Sequence, residues 1–299
     1  MEAARLDPER LSTMESSWTA RLTGVFEDAP WLESTSETLM RWLQPLLSAP
    51  GADRVKDVLH GRWLGHALHP VLTDAPIGFW MGSAVLDVVG EDFAAGVLSG
   101  AGSASAVATA LTGLADWTVT DGRERRLALL HGLVNVAGLG LHLASLGARI
   151  RGRRRTAQTL GLAGFGVSAA AAYVGGELVF ARGLMVNHDA WIAGPTEWTA
   201  VLPSVQLAEG ATRRVDVRGH SVLVYRERGH VYAMEDACAH AGGPLSEGEV
   251  RDGIVTCPWH GSQFRLTDGA VLRGPATFPQ LQLQARERQG EIEIRGRKG

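Results

Sequence analysis

The chain has 299 residues, enough for two domains, and its 29 basic and 32 acidic side chains give a formal net charge of −3. That balance provides no global basic field and argues against a nucleic-acid partner. The charge is segregated, because residues 93–180 contain few charged side chains while both ends of the chain are rich in them. Residues 1–50 are acidic and lack the apolar run of a secretory signal, so we expect no such signal there.

Residues 1–54 are predicted to form a soluble leader that is partly helical. Within it, the apolar and polar residues of 39–47 are spaced as in an amphipathic helix that lies on a membrane surface. The alternative is a poorly ordered leader with one or two short helices.

The middle of the chain, residues 55–190, is predicted to be a membrane domain. Three runs without charged side chains (94–115, 127–148 with neutral histidines, and 156–176) each exceed the roughly 18 residues that indicate a membrane span. A fourth run, 69–89, carries two aspartates and is weaker by itself. These runs predict a four-helix transmembrane α bundle with helices at about 70–89, 94–117, 127–148 and 158–180. A soluble helical bundle with a large core is the alternative.

Ionisable residues cluster near the ends of these predicted helices. An up-and-down bundle would place His69, Asp74, Asp116, His131 and Glu177 at one face of the membrane. Ionisable groups in a bilayer are costly, so they suggest a function by default. Three hypotheses remain open: His69 and His131 ligate a haem b, the cluster binds a metal ion or forms a proton path, or the residues have structural roles.

The third predicted helix also places three polar residues on one side. His131, Asn135 and His142 share that side, and the eleven residues from first to last span about 16 Å. Arginines and lysines near the helix ends are slightly more numerous on the side of the two termini, although residues 149–155 are also arginine-rich. This distribution favours a multi-pass protein of the cell membrane with its C-terminal domain in the cytoplasm.

After a linker at 191–197, residues 198–299 are predicted to form an all-β domain. Short runs that alternate apolar and charged residues, such as 214–218 and 291–295, are separated by turn signals such as Asp252-Gly253 and Gln289-Gly290. A hundred residues of this kind can bury their own core.

The two cysteines of the chain both lie in this domain, in the pattern Cys238-x-His240 and Cys257-x-x-His260. Two thiolates and two imidazoles are the ligand set of a Rieske iron–sulfur centre. The same four residues are also chemically able to bind zinc. The glycines and prolines that follow each pair favour two tight loops around a cluster over a zinc finger.

The stretch CPWHGSQFRLTDGAVLRGPA, residues 257–276, strongly resembles the second half of a Rieske domain. The resemblance implies one [2Fe-2S] cluster, with Cys238 and Cys257 on the buried iron and His240 and His260 on the outer iron. It also implies that Gly274-Pro275 belongs to a third loop that covers the cluster.

The resemblance is to ferredoxin-type Rieske domains in particular. Gly243 and Trp259 stand where the Rieske domains of respiratory complexes carry an additional cysteine pair, so that disulfide is absent. Ser262 keeps a hydroxyl that could donate to a bridging sulfide, whereas Phe264 replaces the tyrosine of high-potential members. Fewer donors imply a reduction potential in the lower to middle part of the Rieske range.

The membrane segment resembles an uncharacterised bacterial four-helix membrane family. The resemblance rests on HALHPVLTDAPIGFW at 66–80, on Leu114-Ala-Asp116-Trp117, on His131-x-x-x-Asn135 and on Gly175-Gly-Glu177. It covers about residues 55–190 and implies no known activity.

Together these patterns predict a multidomain, membrane-anchored protein that transfers one electron at a time. Membrane lipid and a redox donor and acceptor, proteins or a quinol, are the expected partners. A redox sensor, or a haem- or metal-binding membrane oxidoreductase subunit, is the alternative. Only 39 residues follow His260, too few for the separate iron domain of a complete oxygenase.

Overall fold

The structure is a computed structural model that describes residues 24–296. Two compact units make up this part of the chain. One comprises residues 24–46, 75–106 and 120–182, and the other comprises residues 47–74, 107–119 and 183–296. The first is helical, and the second combines helical segments with the C-terminal β domain.

Six α-helices that lie wholly within the described residues, and one π-helical turn, precede the β domain. They are α1 (Pro30–Leu47), α2 (Ala52–Leu59), α3 (Leu68–Val89), α4 (Asp92–Trp117), α5 (Gly122–Ile150), α6 (Arg154–Gly176) and the π-helical turn Glu177–Ala181. Trp42 of helix α1 is exposed. Helices that lie on a membrane surface expose apolar side chains in this way.

Three of the described helices are long and apolar enough to cross a membrane: α4, α5, and α6 together with the turn that follows it. The predicted count of four spanning helices is therefore not confirmed. Helix α3 forms, but it contains His69, Asp74 and Asp87 within its 22 residues, and these polar side chains lower its mean hydropathy.

Helices α5 and α6 pack closely because small residues line their contact. A Cβ atom added at Gly138 would lie 2.6 Å from Ser168 Oγ, and one added at Gly164 would lie 3.0 Å from the ring of His142. Small residues at such positions allow helices in lipid to approach closely, where van der Waals contact drives association.

A buried ion pair fixes α5 to the end of α3. Arg149 Nη2 donates to both carboxylate oxygens of Asp87, at 2.6 and 2.5 Å, and Nη1 donates to Asp92 at 2.5 Å. The side chains of Asp87 and Arg149 are only 2% and 8% exposed. Gln158 of α6 donates to the Asp87 carbonyl at 3.1 Å, and Asp92 is the first residue of α4, so four helices meet around this pair.

The C-terminal domain consists of ten strands in two antiparallel sheets. The strands are β1 (Thr199–Pro203), β2 (Thr212–Val217), β3 (His220–Glu227), β4 (His230–Glu235), β5 (Glu249–Arg251), β6 (Ile254–Thr256), β7 (Gln263–Arg265), β8 (Val271–Arg273), β9 (Gln282–Arg288) and β10 (Glu291–Gly296). The larger sheet has the order β1-β10-β9-β4-β3-β2, and the smaller sheet runs β5-β6-β7-β8. The predicted turn Gln289-Gly290 joins β9 to β10 with both residues at positive φ, as a two-residue hairpin turn requires.

Two hydrophobic clusters stabilise this domain. One contains Val222, Val224 and Ile292 and lies within the larger sheet. The other contains Leu223, Met234 and Phe264 together with both cysteines. Alternate residues of β3 therefore enter different clusters, as the two-residue period of a strand dictates.

Replacing Arg149 with methionine should strongly destabilise the helical unit, because Asp87 would keep a buried carboxylate without its cation. Breaking a buried pair in this way costs about 3–5 kcal/mol. Unfolding in mixed detergent micelles would measure the change in the free energy of unfolding. Arg151→Met is the matched control, since Arg151 is exposed and bonds only to the Gly147 carbonyl. Equal stability of the two variants would contradict the prediction.

Candidate functional site

Two loops with the same backbone pattern carry the four predicted ligands. In the first loop, the Cys238 amide donates to the carbonyl five residues later, and the Gly242 amide donates back to the Cys238 carbonyl at 2.7 Å. In the second loop, Cys257 and Gly261 make the same two bonds, at 2.8 and 3.1 Å. Gly242 and Gly261 have φ of 75° and 74°, a conformation that favours glycine. This repeated turn explains why a glycine follows shortly after each histidine.

The two sulfur atoms lie inside the hydrophobic core and close to each other. Cys238 and Cys257 are almost fully buried, and neither forms a disulfide. A hydrogen bond from the Cys238 thiol lowers the pKa of Cys257 to about 6, with further help from the backbone amides of Trp259 and His260. The same contact raises the pKa of Cys238 far above its usual range, although the amides of His240 and Ala241 point at its sulfur. The loops therefore direct four amides at two buried sulfurs.

The two imidazoles form a second pair. The ring centroids of His240 and His260 are 5.0 Å apart, and the rings are nearly perpendicular. His240 is only 7% exposed, whereas His260 is half-buried. Burial, followed by the neighbouring histidines His260, His60 and His188, lowers the pKa of His240 to about 3, so this ring is a neutral donor at physiological pH.

This donor set fits a two-iron cluster better than a single metal ion. No three His, Cys, Asp or Glu side chains in residues 24–296 converge as ligands of one ion. The four predicted ligands instead form one sulfur pair and one nitrogen pair, as a centre with two thiolates on one iron and two imidazoles on the other requires. The amides aimed at the sulfurs suit sulfur that carries negative charge.

Trp259 of the second loop packs against Gly243 of the first loop. A Cβ atom added at Gly243 would lie 2.9 Å from the Trp259 ring and 3.0 Å from the Cys257 sulfur. Glycine therefore permits the indole to lie directly over the first loop. These are the two positions at which the sequence resemblance indicated a missing cysteine pair.

The third loop is tied to the second through Ser262. The Ala276 amide donates to Ser262 Oγ at 3.0 Å, and the serine is fully buried. Because the hydroxyl oxygen accepts this bond, its own proton remains available to donate. Phe264 is fully buried in the core and offers no hydroxyl.

Segments that precede the β domain contact this third loop within the same compact unit. Asp57 of α2 accepts a hydrogen bond from the Gly274 amide at 2.8 Å. Asp53, one turn earlier, pairs with Arg273 at 2.6 Å, and Arg62 donates to the Val271 carbonyl at 3.4 Å. The cluster-covering loop is thus held by residues 53–62.

The chain itself also covers His240. Met185 and Val186 line a small cavity with His240 and Phe278. The His188 amide donates to the Ala239 carbonyl at 3.1 Å, which holds this segment along the first loop. The outer edge of the site is different, because Trp259 beside His260 is 57% exposed.

His60 is a polar residue of this site that the sequence analysis missed. It is 1% exposed, and its Nδ1 is 2.9 Å from the carboxylate of Asp116, which is also buried. His60 also lies near enough to His240 to disfavour its protonation. The available signal was a histidine followed by Gly61 at the end of a short amphipathic helix, before the first predicted spanning helix.

The other predicted membrane residues do not assemble into a metal site in the described chain. His69 bonds to the Thr109 carbonyl at 3.0 Å, and Asp74 is exposed. His131 donates through Nδ1 to the Ala171 carbonyl at 2.8 Å and accepts from Asn135 at Nε2, so both ring nitrogens are engaged. Glu177 lies 3.9 Å from Arg182. These contacts give no support to haem ligation by His69 and His131.

Comparisons with known proteins identify both regions. The family profile described as Rieske [2Fe-2S] domain matches residues 197–284. A second profile, described as predicted membrane protein (DUF2231), matches residues 65–188.

Individual relatives match the C-terminal region. Ferredoxin CarAc of Metapseudomonas resinovorans is 33% identical over 102 residues, which cover 34% of this chain and 95% of that protein. The ferredoxin component of the naphthalene 1,2-dioxygenase system of Pseudomonas aeruginosa is 27% identical over 27% of this chain and 78% of its own length. By contrast, the match to mouse apoptosis-inducing factor 3, 30% identical over 31% of this chain, spans only 15% of that protein.

A solved structure, the ferredoxin of carbazole 1,9a-dioxygenase from Nocardioides aromaticivorans, is 27% identical to this chain. The alignment covers 34% of this chain and all of that one, with a TM-score of 0.33.

The stability of the β domain should fall as pH rises from about 4 to about 7. Two carboxyl groups have raised pKa values, mainly because they are buried. The pKa of Glu235 rises from 4.5 to about 7, and that of Asp189 rises from 3.8 to about 6. Between the unfolded and the folded pKa of each group, the folded state binds more protons than the unfolded state. The stability that these protons contribute is fully present below about pH 4, and it is lost as the pH rises through each folded-state pKa.

Calorimetry of the whole chain across this pH range would test this. Glu235→Gln should lose less thermal stability than the wild type between pH 4.5 and 7.5, because the buried group no longer ionises. The control Glu249→Gln changes an exposed carboxylate and should follow the wild type. An unchanged pH slope in Glu235→Gln would refute the assignment.

Proposed function

This chain belongs to the Rieske [2Fe-2S] domain family, and we propose that it is a membrane-anchored protein that transfers one electron at a time. The observation that carries the proposal is the pairing of the donors. Two buried sulfurs surrounded by amides and two imidazoles near the outer edge lie on two loops of matched geometry. Similarity to a ferredoxin over 95% of that protein's length supports the same function.

The proposed ligands are Cys238, His240, Cys257 and His260. When bound, a [2Fe-2S] cluster supplies reversible one-electron chemistry. The two thiolates hold negative charge in a dry core, and the surrounding amides stabilise that charge. The imidazoles of His240 and His260 would hold the second iron of the cluster.

We propose that redox partners dock at the surface formed by His260 and Trp259. His240 is covered by residues 185–188 and lies near His60, so it has little exposed surface. Trp259 is largely exposed beside His260 and offers an aromatic surface to a docking protein. The donor and acceptor are redox proteins or a quinol, and the ferredoxin relatives favour a protein on at least one side.

The α4–α6 helices are proposed to anchor this carrier in the cell membrane. Their length and hydropathy, together with the match to a predicted membrane family, support this placement. We place the Rieske domain on the cytoplasmic side, where a soluble reductase or oxygenase component can reach it.

Spectroscopy of the purified full chain tests the cofactor. The reduced wild type should give the EPR signal of a [2Fe-2S] centre with two nitrogen ligands, together with two iron atoms and two sulfides per chain. Cys257→Ser should lose the signal and most of the iron. His220→Ala, which changes an exposed histidine on β3, should retain both. Stoichiometric zinc without iron would instead support the zinc alternative.

Ser262→Ala should lower the reduction potential of the cluster. The hydroxyl is buried beside the cluster loops, and its loss removes one donor that stabilises the reduced form. The wild-type value is expected in the lower to middle part of the Rieske range, which extends from roughly −150 to +300 mV.

A redox titration followed by EPR gives both values. The matched control is Ser221→Ala, which removes a partly exposed hydroxyl from β3 and should leave the potential unchanged. A wild-type potential like that of the respiratory complexes would contradict the prediction, as would an unchanged potential in Ser262→Ala.

A further inference from the structure

Helix α5 carries a polar stripe along most of its length. Its positions are four, three, four, three and four residues apart: His131, Asn135, Gly138, His142, Ser145 and Arg149. That spacing keeps all of them on one face of a helix. The eighteen residues from first to last rise about 27 Å, close to the hydrocarbon thickness of a bilayer, about 30 Å.

This face is turned toward α6 and α3, within a single compact unit. His131 donates to the Ala171 carbonyl at 2.8 Å, and Ser145 Oγ donates to the Ala157 carbonyl at 2.6 Å. At Gly138, the polar group is supplied by Ser168 of α6, whose hydroxyl would touch any added Cβ. Successive positions of the stripe are therefore about 4.5 to 6 Å apart along the helix axis.

His142 lies in the middle of the stripe and is 1% exposed. Neither of its ring nitrogens has a hydrogen-bond partner among the described residues, and the same is true of Ser168 Oγ and Trp80 Nε1. The Trp80 indole stacks on the imidazole with a centroid distance of 4.1 Å and an angle of 6°. A Cβ atom added at Gly164 of α6 would lie 3.0 Å from the Cδ2 and Nε2 atoms of this ring.

An apolar side chain at position 142 would cost less folding free energy than the histidine. A buried polar group without a partner destabilises the fold, whereas phenylalanine offers Trp80 a ring without such groups. Polar groups that persist inside a membrane domain at such a cost indicate a pathway or a site. The ends of the stripe are polar as well: Asp87 with Arg149 at one end, and Asn135 with His131 at the other.

We propose that this stripe carries protons across the membrane, with His142 as its central relay. A proton binds to the bare ring nitrogen of the neutral imidazole, and the proton on the other ring nitrogen leaves toward the next group. The ring is again neutral, in its other tautomer, and rotation restores the starting state. The net result is the movement of one proton, with no change in oxidation state.

The inference rests only on the membrane insertion included in the proposed function, and it does not require the cluster. The test uses the purified full chain in liposomes that contain a pH-sensitive dye, with a potassium diffusion potential as the driving force. Wild-type liposomes should acidify at least ten times faster than protein-free liposomes. His142→Phe keeps the ring that stacks on Trp80 but removes both nitrogens, and its rate should fall to that of protein-free liposomes.

Leu143→Ala is the matched control, because Leu143 is the next residue of α5 and lies on its exposed side. It should conduct at the wild-type rate. If His142→Phe does not fold, Ser168→Ala replaces it and should reduce the rate at least threefold. Flotation of the liposomes reports insertion separately, so failure to co-float would count against the membrane anchor. The proposal would be overturned if liposomes with inserted wild-type protein acidify no faster than protein-free liposomes. It would also be overturned if liposomes with His142→Phe acidify as fast as those with the wild type.

Discussion

The burial of two sulfur atoms is the constraint on which the site depends. Negative charge on sulfur is costly in a core formed by residues such as Leu223, Met234 and Phe264, unless donors surround it. Side chains are too large to supply several donors at this distance, so the backbone supplies them. Each loop therefore turns sharply after its cysteine, and each turn needs a residue at positive φ, which Gly242 and Gly261 provide. The cysteine spacing and the glycines are consequences of one electrostatic requirement.

The two histidines of the site differ in their exposure to solvent. Both must lie at the edge of the buried sulfurs, but the chain covers one of them. Asp57 binds the third loop, and residues 185–188 lie along the first, so His240 is enclosed while His260 stays near Trp259 at the surface. The unequal exposure of the two imidazoles therefore comes from segments outside the β domain.

The sequence predicted the β domain with its cluster because its signals are local. Ligand spacing, glycines and hairpin turns each occupy a few consecutive residues, and local backbone geometry determines their structure. The number of spanning helices was harder to predict, since α3 mixes apolar residues with His69, Asp74 and Asp87, and composition alone does not decide its surroundings. His60 could not be predicted, because its pairing with Asp116 joins residues 56 positions apart. No periodicity in the chain encodes such a contact.

The polar residues near the helix ends show the limit of reasoning from topology. An up-and-down bundle suggested one cluster of His69, Asp116, His131 and Glu177, but the structure gives each a partner of its own. Asp116 belongs with His60 in the unit that contains the cluster, whereas His131 begins the stripe of α5 in the other unit. A shared cofactor would need histidine ring nitrogens that point to one place. Both ring nitrogens of His131 already form hydrogen bonds, one with the Ala171 carbonyl of α6 and one with Asn135 of α5. The predicted cluster ligands and the His60–Asp116 pair therefore lie in one unit, and the polar stripe of α5 lies in the other.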